Sequence, residues 1–172
     1  MKKIHIPNSE NPGTILKCCS WIPAIIIMIM IFQFSAANGV ESSGTSSGLL
    51  ECIFNKSEQI LSIEIPQQKR EQLIEVLETP LRKCAHITEY LFLALFVVFP
   101  CYVFGNRGKA LVCKSAVISV VYACTDEMHQ YFVPGRAGRI VDVCIDSIGI
   151  WCGIGAGMLL IKLITKSHKF SV

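Results

Sequence analysis

Charge is scarce in this chain: Asp, Glu, Lys and Arg make up 17% of its 172 residues, against 52% hydrophobic residues. A soluble domain of this size covers its surface with more charge, so the scarcity excludes an ordinary water-soluble globule and points to the bilayer as solvent. A concentrated basic patch is missing as well. The net charge is only +3, and the lysines and arginines sit at the ends of apolar segments, which argues against a nucleic-acid partner and makes them topology signals. The chain has nine cysteines but no C-x-x-C spacing, so neither a disulfide framework nor a zinc ribbon is indicated. Most of them lie inside apolar segments and read as small buried hydrophobes. Serine and cysteine nucleophile motifs are lacking, which leaves a covalent mechanism unsupported. There is no internal repeat, and four short helices without one leave a transporter little room for alternating access.

What is present is apolar length. The run from about Cys18 to Ala37 is roughly twenty residues, enough to cross a ~30 Å hydrocarbon core at ~1.5 Å per residue. Lys2, Lys3 and Lys17 before it and Ser35-Ala36-Ala37 at its end resemble the flanks of a signal peptide, but the length favours an uncleaved first transmembrane helix. From Asn38 to Ser47 the composition turns to Gly, Ser, Thr and Glu and reads as a loop leaving the membrane. After Pro66, Leu73, Leu77 and Leu81 recur every four residues while Glu71, Glu75 and Glu78 face elsewhere. This predicts a short amphipathic helix, lying on the membrane surface or packed on the other segments.

Thr79-Pro80 supplies a cap and a proline at the first helical position, so the second membrane helix is expected from near Pro80 to Gly105-Asn106, with Pro100 as an internal kink. Two further apolar segments span about Lys109–Gln130 and Arg139–Leu163, separated by a Pro134-Gly135 turn. The expectation is an all-α, multi-pass membrane protein: an N-terminal segment 1–17, a four-helix membrane domain 18–163 and a tail 164–172. The first outer loop, about 38–79, carries the amphipathic helix. Lys2, Lys3, Lys17, Arg107, Lys109, Lys114, Lys162, Lys166 and Lys169 then share one side, which predicts that both termini are cytoplasmic.

On those helices the polar residues fall into one layer. Arg82, His86 and Glu89 share a face of the second helix, Tyr122, Asp126 and His129 a stripe on the third, and Asp142 and Asp146 one turn apart open the fourth. The same face of the fourth helix continues as Gly149, Gly153 and Gly157, a small-residue stripe that lets another backbone approach closely. Ionisable groups at membrane depth cost about 2.5–3.5 kcal/mol each. Three readings therefore stand side by side. Arg82, Lys83, Arg136 and Arg139 offset Glu89, Asp126, Glu127, Asp142 and Asp146 as a buried ion-pair network that fixes helix register. Alternatively, His86-x-x-Glu89 and Asp126-x-x-His129 are i, i+3 pairs able to share a divalent metal, with carboxylates of the fourth helix completing its shell. In the third, a histidine beside carboxylates acts as general acid or base while Arg136 and Arg139 bind a phosphate or carboxylate.

Lys83-Cys-Ala-His-Ile-Thr-Glu-Tyr90 is similar to the K/R-x-x-H-x-x-E-Y of the VanZ-like family of bacterial membrane proteins. Tyr122-Ala-Cys-Thr-Asp-Glu-Met-His-Gln-Tyr-Phe-Val-Pro-Gly-Arg136 resembles its Y-A-x-x-D-E-x-H/x-Q-x-F-x-P-G-R, and Asp142, Asp146 and Gly149 its later D-x-x-x-N/D-x-x-G. Phe34-Ser-Ala-Ala-Asn-Gly and the serine-rich stretch 42–47 resemble the end of the family's first helix and the loop after it. The chain departs at two positions: Phe34-Ser-Ala-Ala stands where many members have F-S-S/A-Q, and Asp146 where asparagine is frequent, which adds a charge.

The family takes its name from a protein associated with resistance to the glycopeptide teicoplanin, so the resemblance implies a bacterial cell membrane and a link to the envelope, without bringing a reaction. Two function classes follow. One is a protein that binds or modulates an envelope component or glycopeptide-like ligand through His86, Glu89, Asp126, Glu127, His129, Gln130, Arg136, Arg139, Asp142 and Asp146. The other is a membrane-embedded, metal-assisted enzyme acting on a lipid-linked phosphate or cell-wall precursor, with His86 or His129 in proton transfer.

Overall fold

The computed structural model describes residues 13–170, with side chains to residue 166. Residues 1–12 of the expected N-terminal segment, with Lys2 and Lys3, and the last two of the tail lie outside the described residues. The chain is all-helical, 86% helix, with no strand among the described residues. Its elements are α1 (Thr14–Cys19), α2 (Ile22–Ala36), α3 (Gly39–Leu61), α4 (Gln67–Val103), α5 (Gly108–Tyr131) and α6 (Ile140–Phe170). Four stretches are long and apolar enough to cross a membrane: Thr14–Ala36, Gln67–Val103, Gly108–Tyr131 and Ile140–Lys166.

Two local expectations are corrected. The stretch 38–47, polar enough to read as a loop, instead opens the 23-residue helix α3. A capping box starts it: Asn38 Oδ1 accepts from the Glu41 N–H at 2.9 Å while Glu41 Oε2 accepts from the Asn38 N–H at 3.3 Å. The second membrane helix does not begin at Pro80 but at Gln67, so the amphipathic segment and the membrane segment form one 37-residue helix with Pro80 inside it. Pro80 removes one backbone hydrogen bond, and the turns before it are held from outside by α3. Arg70 donates to Asn55 and Glu58 of α3, and the Ser47 hydroxyl donates to Glu78 at 3.4 Å. The Arg70 guanidinium and the Ile65 N–H hold the Glu58 carboxyl below its usual range. Because 47 sits beside 78 and 58 beside 70, α3 and the start of α4 run antiparallel as a helical hairpin.

The centre of the bundle is α4, whose Tyr90, Leu93, Ala94, Val97 and Val98 are wholly buried. The glycine stripe of α6 packs on it. A Cβ on Gly149 or Gly153 would overlap the carbonyl oxygen of Ile87 or Leu91, and one on Gly157 would press on Val98. Close packing of this kind drives helix association in lipid, where apolar burial alone gives no preference for protein over acyl chains. The same reasoning corrects the cysteines: only Cys101 is buried, and the other eight are exposed on the chain's surface. In a membrane helix an apolar neighbourhood does not tell a core position from a lipid-facing one.

Gly105, at φ +89°, ends the turn after α4 as its sequence foretold. The far end of the bundle is where the polar layer forms: the C-terminus of α2, residues 82–89 of α4, residues 126–130 of α5 and residues 142–146 of α6.

Candidate functional site

At the centre of that layer a buried node ties three helices together. Asp126 Oδ2 accepts from the Ser35 hydroxyl of α2 (2.9 Å), the Tyr90 hydroxyl of α4 (3.1 Å) and the Gln130 amide one turn along α5 (3.0 Å). Gln130 also donates to Ser35 Oγ at 3.1 Å, closing the network. All four residues are buried, Asp126 at 4% exposure. Tyr122 adds a bond from its hydroxyl to the Met28 carbonyl of α2. Sequence reasoning did not find Ser35 and Tyr90 as partners. The signal for them was their place inside the two matching motifs, Phe34-Ser and Glu89-Tyr.

The loop between α5 and α6 closes over this node. Gly135, at φ +75°, takes a turn that side chains resist, and brings its backbone against Gly39, whose N–H donates to the Pro134 carbonyl. The turn aims Arg136 at the C-terminus of α2, where Nε donates to the Ala37 carbonyl (3.0 Å) and Nη2 to the Phe34 carbonyl (2.9 Å). A cation there satisfies orphan carbonyls and complements the negative end of the helix dipole. Burial, and then the neighbouring Arg82, draw the Arg136 guanidinium below its ordinary pKa.

Below the loop lies a polar cavity of about 340 Å³. Its wall is Thr79, Arg82, Lys83 and His86 from α4, Glu127 and Gln130 from α5, Gly135, Arg136, Ala137 and Arg139 from the loop, and Asp142, Ile145 and Asp146 from α6. Lys83 Nζ pairs with Asp142 Oδ1 at 3.1 Å, and Glu127 Oε2 accepts from the Arg139 N–H at 2.9 Å. A second, largely apolar cavity of about 540 Å³ opens between the end of α2, α3 and α4. Phe34, Leu49, Leu81, Ala85 and the small residues Ser42, Thr45 and Ser46 line it. Arg82, His86 and Arg136 line both.

The expected site residues therefore divide. Arg136, Arg139, Glu127, Gln130, Asp142 and Asp146 meet at the polar cavity with His86. Glu89 faces the apolar one, its Oε2 lying 3.7 Å from His86 Nδ1, beyond hydrogen-bond distance. Asp126 and His129 line neither cavity. His129 stacks on Phe32 of α2, ring centroids 4.6 Å apart, and Asp126 is engaged by its three donors. The two i, i+3 pairs are thus not brought around one point, and no three His, Cys, Asp or Glu side chains among the described residues are grouped to hold a metal ion.

A family model, VanZ/LLP1, matches residues 20–163. The chain belongs to the VanZ/LLP1 family. No curated protein and no solved structure matches it. The three motif segments carry most of the residues just described: 83–90 supplies Lys83, His86, Glu89 and Tyr90, 122–136 supplies Asp126 through Arg136, and 142–149 supplies the two aspartates and the first packing glycine. For this VanZ/LLP1 protein, motif and polar layer are the same object.

Proposed function

We propose that this VanZ/LLP1 protein binds an anionic amphiphile of the bacterial cell envelope, a lipid-linked phosphate, with its anionic group between Arg82 and Arg136 and its hydrocarbon chain in the apolar cavity. The observation that carries the reading is the sharing of Arg82, His86 and Arg136 by a polar and an apolar chamber. A ligand with one charged and one apolar end fits such a pair of chambers, and a phosphate between two guanidiniums relieves their mutual repulsion. Chambers of about 340 and 540 Å³ suit ligands of drug size or smaller. A glycopeptide antibiotic is too large for either, so any modulation of such a drug acts through the envelope component.

The test is a titration of the purified protein in mild detergent with a polyprenyl phosphate and with the corresponding alcohol, read by native mass spectrometry. The phosphate is expected to bind at least about tenfold more tightly, and Arg82→Gln to remove that advantage. Arg82 is the better probe because Arg136 also caps α2. Equal binding of phosphate and alcohol, or an unchanged Arg82→Gln variant, overturns the proposal.

The enzyme reading rests on His86, which lines both chambers, with the Glu89 carboxyl of the apolar chamber beside it. It predicts that the bound phosphate is turned over, which product analysis in the same samples reads directly.

A further inference from the structure

Resting on that reading, the polar cavity also describes the far side of the headgroup. Three acids line it, and two are already engaged: Asp142 with the Lys83 ammonium and Glu127 with the Arg139 N–H. The third, Asp146, is 1% exposed, and no described group donates a hydrogen bond to it. One helical turn on, Gly149 presses α6 against the Ile87 backbone of α4, which fixes the face that carries Asp146.

A buried carboxyl without a donor is costly when ionised and still unfavourable as an unsatisfied neutral group. Such a group waits for a donor from elsewhere. The layout of charge says where that donor lies along the ligand. Arg82 and Arg136 line both chambers, whereas Glu127, Asp142 and Asp146 line only the polar one. Going from the apolar chamber inward, the ligand meets mostly hydrocarbon surface, with Glu89 as its one acid, then guanidinium, then the three carboxyls of the polar cavity.

We propose that the headgroup is zwitterionic: beyond the phosphate held by Arg82 and Arg136 it carries a primary amine, which Asp146 receives. An ammonium answers a buried carboxylate in both charge and hydrogen bonding, whereas a hydroxyl answers only the second.

The test uses two lipids with one polyprenyl chain and one phosphodiester, ending in an aminoethyl or a hydroxyethyl group, and compares them on the wild type and on Asp146→Asn. The wild type is expected to prefer the amine by about tenfold or more. Asp146→Asn is expected to lose that preference, the ratio of the two affinities falling to about one. Equal binding of the two lipids by the wild type overturns the inference, and so does a preference that survives in a folded Asp146→Asn. If Asp146→Asn does not fold, the wild-type comparison alone decides. The preceding reading fails separately, through a phosphate that binds no better than its alcohol; an absent amine preference with intact phosphate dependence refutes only the zwitterion.

Discussion

Three donors on one oxygen of Asp126 make that carboxylate a fastener between α2, α4 and α5. Asp126→Ala would strand the Ser35 and Tyr90 hydroxyls in a buried place, at about 1–3 kcal/mol for each group left unsatisfied, and leave Gln130 only its bond to Ser35. The expected outcome is a marked drop in the thermal midpoint in detergent, together with loss of ligand binding. Loss of binding at an unchanged midpoint would instead make Asp126 a ligand contact. This role was not legible in the sequence, and the reason is separation: Ser35 lies 91 positions away from Asp126. Helical spacing placed Asp126, His129 and Gln130 at the correct depth, but only the position of α2 decides which of them meet it. His129 is directed to Phe32 in the same way. Arg136 was readable as an anion-binding cation, whereas its second task, capping α2, depends on a turn that brings Gly135 onto Gly39.

Among the helices, the pairing most legible in advance was α6 on a neighbour, because glycines every four residues have few other uses in an apolar helix. The stripe does not by itself name its partner, and backbone contact with Ile87 and Leu91 makes it the second membrane helix, α4. Gly153→Ala would set a methyl against the Leu91 carbonyl and the Ala94 side chain, an overpacking that costs about 1–3 kcal/mol. Gly155, two residues on, faces open space, so Gly155→Ala is expected to leave thermal unfolding unchanged while Gly153→Ala lowers its midpoint. The starts of α3 and α4 were the least legible features. Local composition argued for a loop at 38–47 and a helix start at Pro80. The first was outweighed by the Asn38–Glu41 capping box inside that same stretch, and the second by a contact beyond its window, the clamp of Arg70 on Asn55 and Glu58.

For the molecule as a whole, the positive flanks predict that the polar layer and the α3–α4 hairpin face away from the cytoplasm. Cys52 lies exposed on α3 and reports on this. A variant retaining Cys52 alone is expected to react with a membrane-impermeant maleimide in intact cells; labelling that requires permeabilisation would reverse the orientation.

The length of α4 has a mechanical consequence. Its 37 residues extend about 55 Å, well beyond a ~30 Å hydrocarbon core, so one rod serves as both bundle axle and projecting arm. Rods transmit displacement, and a load on the arm would reach Arg82 and Lys83 directly were the rod uniform. It is not uniform: at Pro80 the Val76 carbonyl lacks its usual backbone donor, which puts the most compliant joint between the arm and the cationic wall. Because α3 is clamped to the arm and also walls the apolar chamber, a swing of the arm on contact with the envelope would carry the wall from Ser42 to Leu49 against the cationic one.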